Sequence, residues 1–361
     1  MLGSIMTDTA FLRLRGVIKN FGNFTALHGI NLDIQEGEFF TIVGPSGSGK
    51  STLIRLLVGM DDISGGEIML RDQRIDQTPA NLRPTCMVFQ SLALFPHMTV
   101  GQNIEFPLKL RKELPAKRRE RALELLDLLR LPQSFYDKRI SQCSGGEKQR
   151  VALARALAFD PEILFFDEPL SALDYRLRKA LEKELKDLHA RTGKTFVYIT
   201  HSLEEAMVMS DRIAIMKDGR IEQIAAADEI YSAPVSRFVA EFMGEVNLFD
   251  VTSRDGTTLQ SNSLNIAKGV TQSTLSYGDK GLLMVRPEDV QFAEDKDSFD
   301  YTLKGIIYAE FALGSRIQYE VEADEEILTV ETLREGRIKN PEGLEVTLGF
   351  NAAQTHLIGD R

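Results

Sequence analysis

The sequence predicts an α/β domain followed by a smaller all-β domain. From about residue 11 to 235, apolar runs typical of buried strands alternate with segments of helical spacing. Beyond residue 243 apolar and polar residues alternate strictly, as in Arg316–Ala323, which is typical of half-buried antiparallel strands. We therefore expect a mostly parallel α/β core over residues 1–243 and a small β-barrel over residues 244–361.

Length and composition are those of a folded two-domain protein, with 361 residues, 43% of them hydrophobic and 27% charged. A formal net charge of -10 gives no basic footprint in the composition, which argues against nucleic acid as the main partner. Cys86 and Cys143 lie far apart, so neither a zinc site nor a disulfide framework is expected and a reducing compartment fits. The first ten residues lack the features of a secretory signal, and no run approaches the roughly 18 apolar residues of a membrane span. We expect the chain to stay in the cytosol unless a partner carries it to a membrane.

A glycine-rich loop, GPSGSGKST, has the pattern GxxxxGK[ST] between the apolar run Phe39–Val43 and a segment of helical spacing. Glycines let successive N–H groups turn inward, and the start of a helix adds its positive dipole end, so the loop forms an anion site. In such a loop the lysine reaches the β and γ phosphates of a nucleotide and the following serine ligates Mg²⁺. We predict that this loop binds a nucleotide through Gly44, Pro45, Ser46, Gly47, Ser48, Gly49, Lys50, Ser51 and Thr52.

Two adjacent carboxylates end a second apolar run, EILFFDEP, over residues 162–169. Such a run is typical of a buried strand with a charged exit. Strand alternation would point Asp167 and Glu168 to different sides, so that they can have different roles. We expect Asp167 to hold the Mg²⁺ shell and Glu168 to polarise the attacking water.

Five further motifs accompany these two, and all seven occur in the order found in ATP-binding cassette (ABC) ATPases. The chain resembles that family, and through it a P-loop NTPase (RecA-like) fold. The five are Phe21 in NFGNFTAL, Gln90 in VFQSLALFPHMTV, the signature-like CSGGEKQRVALARAL that begins at Cys143, SALD from Ser171 to Asp174, and His201 after TFVYIT.

The resemblance implies a role for each matched residue. Phe21 would stack on adenine, and Gln90 would sense Mg²⁺ and the attacking water, while the loop after it meets a transmembrane partner. Asp174 would lie at a dimer seam, and His201 would contact the γ-phosphate. The implied metal ligands are Ser51, Gln90 and Asp167.

The signature-like segment implies a second subunit. Ser144, Gly145 and Gly146, with Glu147 after them, open a helix whose hydroxyl and amides would clasp a γ-phosphate held by the P-loop of another cassette. Two chains, identical or related, would thus enclose two ATP molecules. The family usually has leucine where this chain has Cys143 and glutamine where it has Glu147. We expect Cys143 to pack inward, and we expect Glu147 to be compatible with hydrolysis although its charge lies near the phosphate site.

Segments outside the motifs extend the resemblance to nearly the entire chain. Residues 91–160 match the helical subdomain of the family. The spacing in this range predicts a helix with four apolar residues on one face: Ala122, Leu125, Leu126 and Leu129. VRPEDV and FALGS resemble the OB-like C-terminal (TOBE) domain of ATPase subunits of bacterial solute importers. SLALFPHMTV, MGEVNLF and VRPEDV are most similar to polyamine (spermidine/putrescine) importers, with ferric iron, sulfate and sugar importers close behind.

The resemblance implies an ATPase that drives solute uptake. Its partners would be a second cassette, two transmembrane permease subunits and, indirectly, an extracytoplasmic solute-binding protein, with the chain peripheral on the cytoplasmic face of the inner membrane. The sequence leaves import and export open. Two other functions stay open as alternatives: a soluble ABC ATPase acting on nucleic acid or the ribosome, which the acidic composition disfavours, and a binding module whose β domain senses solute or a partner protein.

Overall fold

The computed structural model of the chain describes residues 10–171, 173–254, 258–266, 276, 278–293, 298–323 and 326–359. The chain divides into two compact units, Met1–Asp228 and Glu229–Arg361. The domain boundary expected between residues 243 and 244 stays a prediction.

The first unit contains most of the helices. In chain order its elements are β1 (Leu12–Phe21), β2 (Phe24–Ile34), β3 (Phe39–Val43), α1 (Lys50–Val58), β4 (Gly65–Leu70), β5 (Gln73–Arg74), β6 (Thr85–Val88), α2 (Val100–Leu110), α3 (Pro115–Leu128), α4 (Gly145–Ala158), β7 (Ile163–Asp167), α5 (Tyr175–Thr192), β8 (Thr195–Ile199), α6 (Leu203–Met209), β9 (Arg212–Lys217) and β10 (Arg220–Ala226).

A six-stranded sheet with the order β10-β9-β3-β8-β7-β6 is the centre of this unit. All its neighbouring strands are parallel except β10, which pairs antiparallel with β9. Strands β3 and β8 are buried along their whole length, as continuous apolar runs in parallel sheets require. The carboxyl ends of β3, β7 and β8 lie at one edge of the sheet. The glycine-rich loop follows β3, Asp167 and Glu168 lie at the end of β7, and His201 comes two residues after β8.

From β3 onward strands and helices alternate as predicted, except that among the described residues no α-helix separates β4, β5 and β6, or β9 and β10. Before β3, β1 and β2 form an antiparallel hairpin, and the second sheet of the unit has the order β2-β1-β4-β5. Phe21 ends β1 and pairs with Phe24 at the start of β2. A connection of two residues permits only a hairpin, because a parallel pair needs a crossover of a dozen residues or more.

Helices α2, α3 and α4 lie within the predicted helical subdomain and share a core. The four α3-region residues that were predicted to share one face, Ala122, Leu125, Leu126 and Leu129, are all buried. Cys143, just before α4, is buried in the same core, and its Sγ lies 3.6 Å from the carbonyl oxygen of Arg139. The inward packing expected for Cys143 is thus present.

The second unit is mainly antiparallel β structure. Its elements are α7 (Ala227–Ser232, which starts at the division between the units), α8 (Arg237–Phe242), β11 (Asn247–Ser253), β12 (Leu259–Gln260), β13 (Asn265–Ile266), β14 (Lys280–Val285), β15 (Gln291–Phe292), β16 (Tyr301–Ala312), β17 (Arg316–Ala323), β18 (Glu326–Leu333), β19 (Glu345–Phe350) and β20 (Thr355–Gly359).

These strands form two sheets with a large hydrophobic core, and Met284 and Ile358 form a smaller buried cluster with Ala240 of α8. The sheets have the orders β12-β11-β14-β20 and β15-β19-β16-β17-β18, with β13 pairing β16. The alternation read in the sequence is present in β17, where Ile317, Tyr319 and Val321 face the core. Leu344, which precedes β19, is exposed, whereas Leu348 and Phe350 within that strand are buried.

A buried arginine holds the helices of the second unit against its strands. Arg286, which follows β14, donates hydrogen bonds to the carbonyl oxygens of Tyr231 (2.8 Å), Ala240 (3.0 Å) and Glu245 (3.1 Å). Its guanidinium also lies over the Tyr231 ring at 4.1 Å. These contacts explain why the segment from residue 229 to 243 groups with the β strands that follow it.

Candidate nucleotide site

The glycine-rich loop joins β3 to α1, as its pattern predicts. Gly49 is the N-cap of α1 in a left-handed conformation (φ 100°), and no side chain accepts a hydrogen bond at this cap. A helix start without a side-chain cap presents its first N–H groups and its positive dipole end to a ligand. The loop therefore has the geometry of an anion-binding site.

Close packing accounts for two of the glycines. A Cβ on Gly44 would collide with the carbonyl oxygen of Met216 in β9 and would lie 2.9 Å from the Ser48 hydroxyl. A Cβ on Gly49 would lie 2.8 Å from the Leu27 side chain, in a conformation that L residues rarely adopt. Larger residues would displace the loop from the neighbouring strands.

Lys50 is buried inside the loop. Its Nζ donates to the carbonyl oxygens of Gly44 (2.8 Å) and Pro45 (3.0 Å), and the Ser48 hydroxyl lies 3.4 Å away. Burial lowers the pKa of Lys50, and the carboxylates of Glu168 and Asp167 oppose that shift. The ammonium group is thus held where its charge is poorly hydrated, which favours an anionic ligand.

The two carboxylates follow β7 in different backbone conformations. Asp167 is the last residue of the strand, whereas Glu168 has a positive φ of 46° and donates its N–H to the carbonyl oxygen of Ile199 at 3.0 Å. The prediction that strand alternation points the two side chains to different sides does not apply to Glu168, because the extended backbone ends at Asp167. Burial, together with the charge of Glu168, raises the pKa of Asp167.

His201 lies next to Glu168, with 3.2 Å between its Nδ1 and the Oε2 of Glu168. It follows β8 and precedes α6, whose N-cap is Ser202. The Ser202 hydroxyl accepts from the N–H of Glu205 at 3.3 Å, whereas the Glu205 carboxylate points into the core. There it accepts hydrogen bonds from the hydroxyls of Tyr198 (2.9 Å) and Thr200 (2.8 Å).

Gln90 is connected to this carboxylate segment through Ser171. The Gln90 side-chain amide donates to the Ser171 hydroxyl at 3.0 Å, and that hydroxyl donates to the carbonyl oxygen of Glu168 at 2.9 Å. Sequence reasoning used Ser171 only as the start of SALD and gave it no contact of its own. Asp174, at the end of SALD, caps α5 by accepting from the N–H of Leu177 at 3.1 Å.

A cavity of ≈ 560 Å³, a size typical of small-molecule sites, brings together Lys50, Glu168 and His201 with part of the glycine-rich loop. In the described part of the chain, the lining does not include five predicted site residues: Gly44, Pro45, Ser48, Gln90 and Asp167. Phe24 and Ala26 line the cavity although sequence reasoning missed them. The signal for Phe24 was its position opposite Phe21 in a hairpin, where both rings remain exposed. The residues that line the cavity are Phe21, Phe24, Ala26, Ser46, Gly47, Gly49, Lys50, Ser51, Thr52, Glu168 and His201.

The signature-like segment lies outside this cavity in the same chain. Ser144 caps α4, and the side chains of Ser144 and Glu147 each accept from the other's N–H, at 3.3 and 2.8 Å. Glu147 also accepts from Lys138 Nζ at 3.1 Å, and these bonds lower the pKa of Glu147. A Cβ on Gly146 would lie 3.1 Å from Leu177 of α5, so this glycine allows the helices to approach closely.

A phosphate-cradling loop and a paired carboxylate beside a histidine, at the carboxyl edge of a parallel sheet, define a nucleoside-triphosphate-hydrolysing protein. Residues 27–171 match the ABC transporter family model, and residues 283–358 match the TOBE domain model. With relatives 46% identical over most of its length, the chain belongs to the ABC transporter family of ATPases. The resemblance stated from the sequence is confirmed, as are the fold class and ATP as the nucleotide.

The named relatives are import proteins. The spermidine/putrescine import ATP-binding protein PotA of Roseobacter denitrificans is 46% identical over 306 residues, which are 82% of this chain and 83% of that protein. The protein of the same name from Nitrosomonas eutropha is 46% identical over 288 residues, 78% of each chain. A dimeric post-hydrolysis structure of the ATP-binding cassette MJ0796, bound to ADP and Pi, is similar with a TM-score of 0.52 and 35% identity, covering 60% of this chain and 98% of that one.

Within the described part of the chain, no helix is both long and apolar enough to span a membrane.

Proposed function

We propose that this chain is the ATP-hydrolysing subunit of an importer for polyamines such as spermidine and putrescine. The observation that carries the proposal is the 46% identity, over 82% of the chain, to a protein named for import of these solutes. The match of residues 283–358 to the TOBE domain supports the proposal, because the resemblance described above is to the TOBE domain of importer ATPases.

In this proposal Lys50 and the amides of the glycine-rich loop hold the phosphates. Glu168 orients and polarises the attacking water, and His201, 3.2 Å from Glu168, keeps that carboxylate oriented and contacts the γ-phosphate. Phe21, with Phe24 beside it, offers an exposed aromatic surface for the adenine. Gln90 responds to the occupied site through its bond to Ser171.

Mg²⁺ is the metal that the donor set fits. Among the described residues no cluster of three or more His, Cys, Asp or Glu side chains could hold a metal by itself. Mg²⁺ is usually bound by one or two protein oxygens, with substrate phosphates and waters completing the shell. Ser51, Asp167 and Gln90 would supply those oxygens. When bound, the ion neutralises charge on the phosphates.

Two chains are needed to complete the site. The cavity residues, as far as the structure describes them, include none of Ser144, Gly145, Gly146 or Glu147. A second copy, or a related cassette, would present this segment to the bound nucleotide, with Asp174 at the seam. The solved relative with ADP and Pi is itself dimeric. Membrane partners would be two permease subunits served by an extracytoplasmic binding protein, with the chain peripheral on the cytoplasmic face.

The test is to isolate the Glu168→Gln chain from its native membranes in mild detergent with ATP, and to identify the proteins that co-isolate. Wild-type chain without ATP is the matched control. We expect two multi-span membrane proteins and a solute-binding protein. Ribosomal or DNA-bound proteins in place of membrane proteins would contradict the transport function while leaving the ATPase chemistry intact.

The solute is tested with the same complex in liposomes. ATP turnover should rise when the co-isolated binding protein is loaded with spermidine or putrescine, and not with ferric iron, sulfate or maltose. Stimulation by one of the other solutes alone would overturn the polyamine assignment and retain the importer.

A further inference from the structure

The loop after Gln90 has an unusual backbone. Leu92 and Ala93 are consecutive residues with positive φ, 60° and 46°, and neither is glycine. Residues with a Cβ are disfavoured in this conformation, and two in succession are rarer still. Such a turn persists only where surrounding contacts hold it.

One side chain of α4 holds both residues. Arg155 donates from Nη1 to the carbonyl oxygen of Ala93 at 2.6 Å and from Nη2 to that of Leu92 at 2.7 Å. The guanidinium is half-buried and lies 5.8 Å from the centre of the Phe95 ring. Two charge-assisted bonds from a planar group fix the position and the orientation of the turn.

The far end of the loop is held by α2. Asn103, fully buried, accepts from the N–H of Phe95 at 2.9 Å and donates to the carbonyl oxygens of Phe95 (3.2 Å) and Thr99 (2.9 Å). Helices α2 and α4 therefore hold the loop at both ends. The Leu92 N–H also donates to the carbonyl oxygen of Phe89 at 2.9 Å, and Arg155 is the side chain that bonds the carbonyl oxygens of both left-handed residues. Gln90 lies two residues before those residues, at the Ser171 hydroxyl.

We propose that Arg155 is a positioning residue that ties the helix opened by Ser144 to the left-handed turn at Leu92 and Ala93, and so sets the place of the Gln90 amide. The inference rests on the proposed ATPase function for its catalytic consequence, but its structural part does not. A movement of α4 would be transmitted to Gln90 through this guanidinium.

Hydrogen exchange of the full-length chain without nucleotide tests the structural part. In Arg155→Met, amides in residues 90–98 should exchange at least about tenfold faster than in wild type, because local opening of the loop becomes easier. Arg150→Met is the matched control, since Arg150 lies on the same helix and pairs with Glu184 of α5 at 2.8 Å. No increase in Arg155→Met, or an equal increase in both variants, would overturn the proposal.

ATP turnover tests the catalytic part. Arg155→Met should lower kcat by roughly tenfold to a hundredfold, with KM for ATP nearly unchanged, because a misplaced group affects the reaction more than nucleotide binding. Adding Ala93→Gly should restore part of the loss, since glycine adopts positive φ without support. An unchanged kcat, or no restoration by glycine, would contradict the positioning role.

A second variant covers the case in which Arg155→Met does not fold, and the exchange experiment covers the case in which the chain is not an ATPase. Arg155→Lys retains a cation that cannot bridge two carbonyl oxygens in the same way, and it should show the same direction of change if Arg155→Met fails to fold. If the wild-type chain and its complex hydrolyse no ATP, the proposed function fails, while the exchange experiment still decides whether Arg155 holds the loop.

Discussion

At the scale of single residues, the site contains two adjacent carboxylates that differ in backbone conformation and in surroundings. Asp167 ends a strand that is otherwise fully buried, whereas Glu168 leaves the strand in a left-handed conformation and faces His201. Burial and the neighbouring charge raise the pKa of Asp167. The ionised carboxylate is thus unfavourable in the chain alone, which is what we expect of the Mg²⁺ ligand proposed here.

Asp167→Asn should raise the stability of the nucleotide-free chain. Because the pKa of Asp167 lies above its usual value of 3.8 in the fold, ionisation costs folding free energy above the raised pKa. That cost disappears as the pH falls through the raised pKa to 3.8. The variant should therefore melt at a higher temperature than wild type near neutral pH, with a difference that shrinks toward about pH 4, in thermal scans at several pH values. A lower melting temperature at neutral pH would show that the Asp167 charge stabilises the fold.

Glu147→Gln should change ATP turnover little. The Glu147 carboxylate is already engaged by the Ser144 N–H and by Lys138, so its charge is compensated within its own chain. Glutamine can make the same capping box, and a partly exposed ion pair contributes about 0–1 kcal/mol, so turnover should stay within about fivefold. Steady-state ATPase assays measure this. A rise of more than about tenfold would identify Glu147 as a brake on hydrolysis.

At the scale of elements, the glycine-rich loop depends on the strand beside it. Gly44 leaves no room for a Cβ because β9 passes directly behind it, whereas a Cβ on Gly47 would meet no atom within 4 Å. The two positions therefore separate steric crowding from backbone conformation.

Gly47→Ala should cost about 1–2 kcal/mol, the penalty for a side chain at its φ of 81°. Gly44→Ala should cost more, about 3 kcal/mol, because the Met216 carbonyl of β9 must move. Urea denaturation of the two variants gives the comparison. Equal losses would mean that β9 yields easily and that packing does not fix the loop.

Local patterns predicted the elements that carry the motifs. The loop lies between β3 and α1, the carboxylates end β7, and α3 buries the face read from its spacing, because each of these is dictated by residues close in sequence. Contacts between distant segments were not accessible in the same way. Arg286 contacts α7, α8 and Glu245, and Arg155 donates hydrogen bonds to Leu92 and Ala93. These contacts join residues at least 41 positions apart, and no periodicity in the sequence indicates them.

At the scale of the whole molecule, one chain carries one phosphate loop and one signature-like segment that does not reach it. The phosphate loop lines the cavity, whereas the signature-like segment lies at the start of α4, outside the cavity. In the proposed function a second chain completes the site, and release of the hydrolysis products would let the two chains separate. Such a cycle would connect ATP chemistry to mechanical work on membrane partners.

The most direct test is the oligomeric state of the Glu168→Gln chain, measured by analytical ultracentrifugation with and without Mg²⁺ and ATP. This variant should bind ATP but lose nearly all turnover, so we expect monomers without nucleotide and dimers that each retain two ATP molecules. A chain in which Ser144 is also changed to arginine is the matched control and should remain monomeric. Monomers of Glu168→Gln at saturating ATP, or turnover close to wild type, would contradict the account.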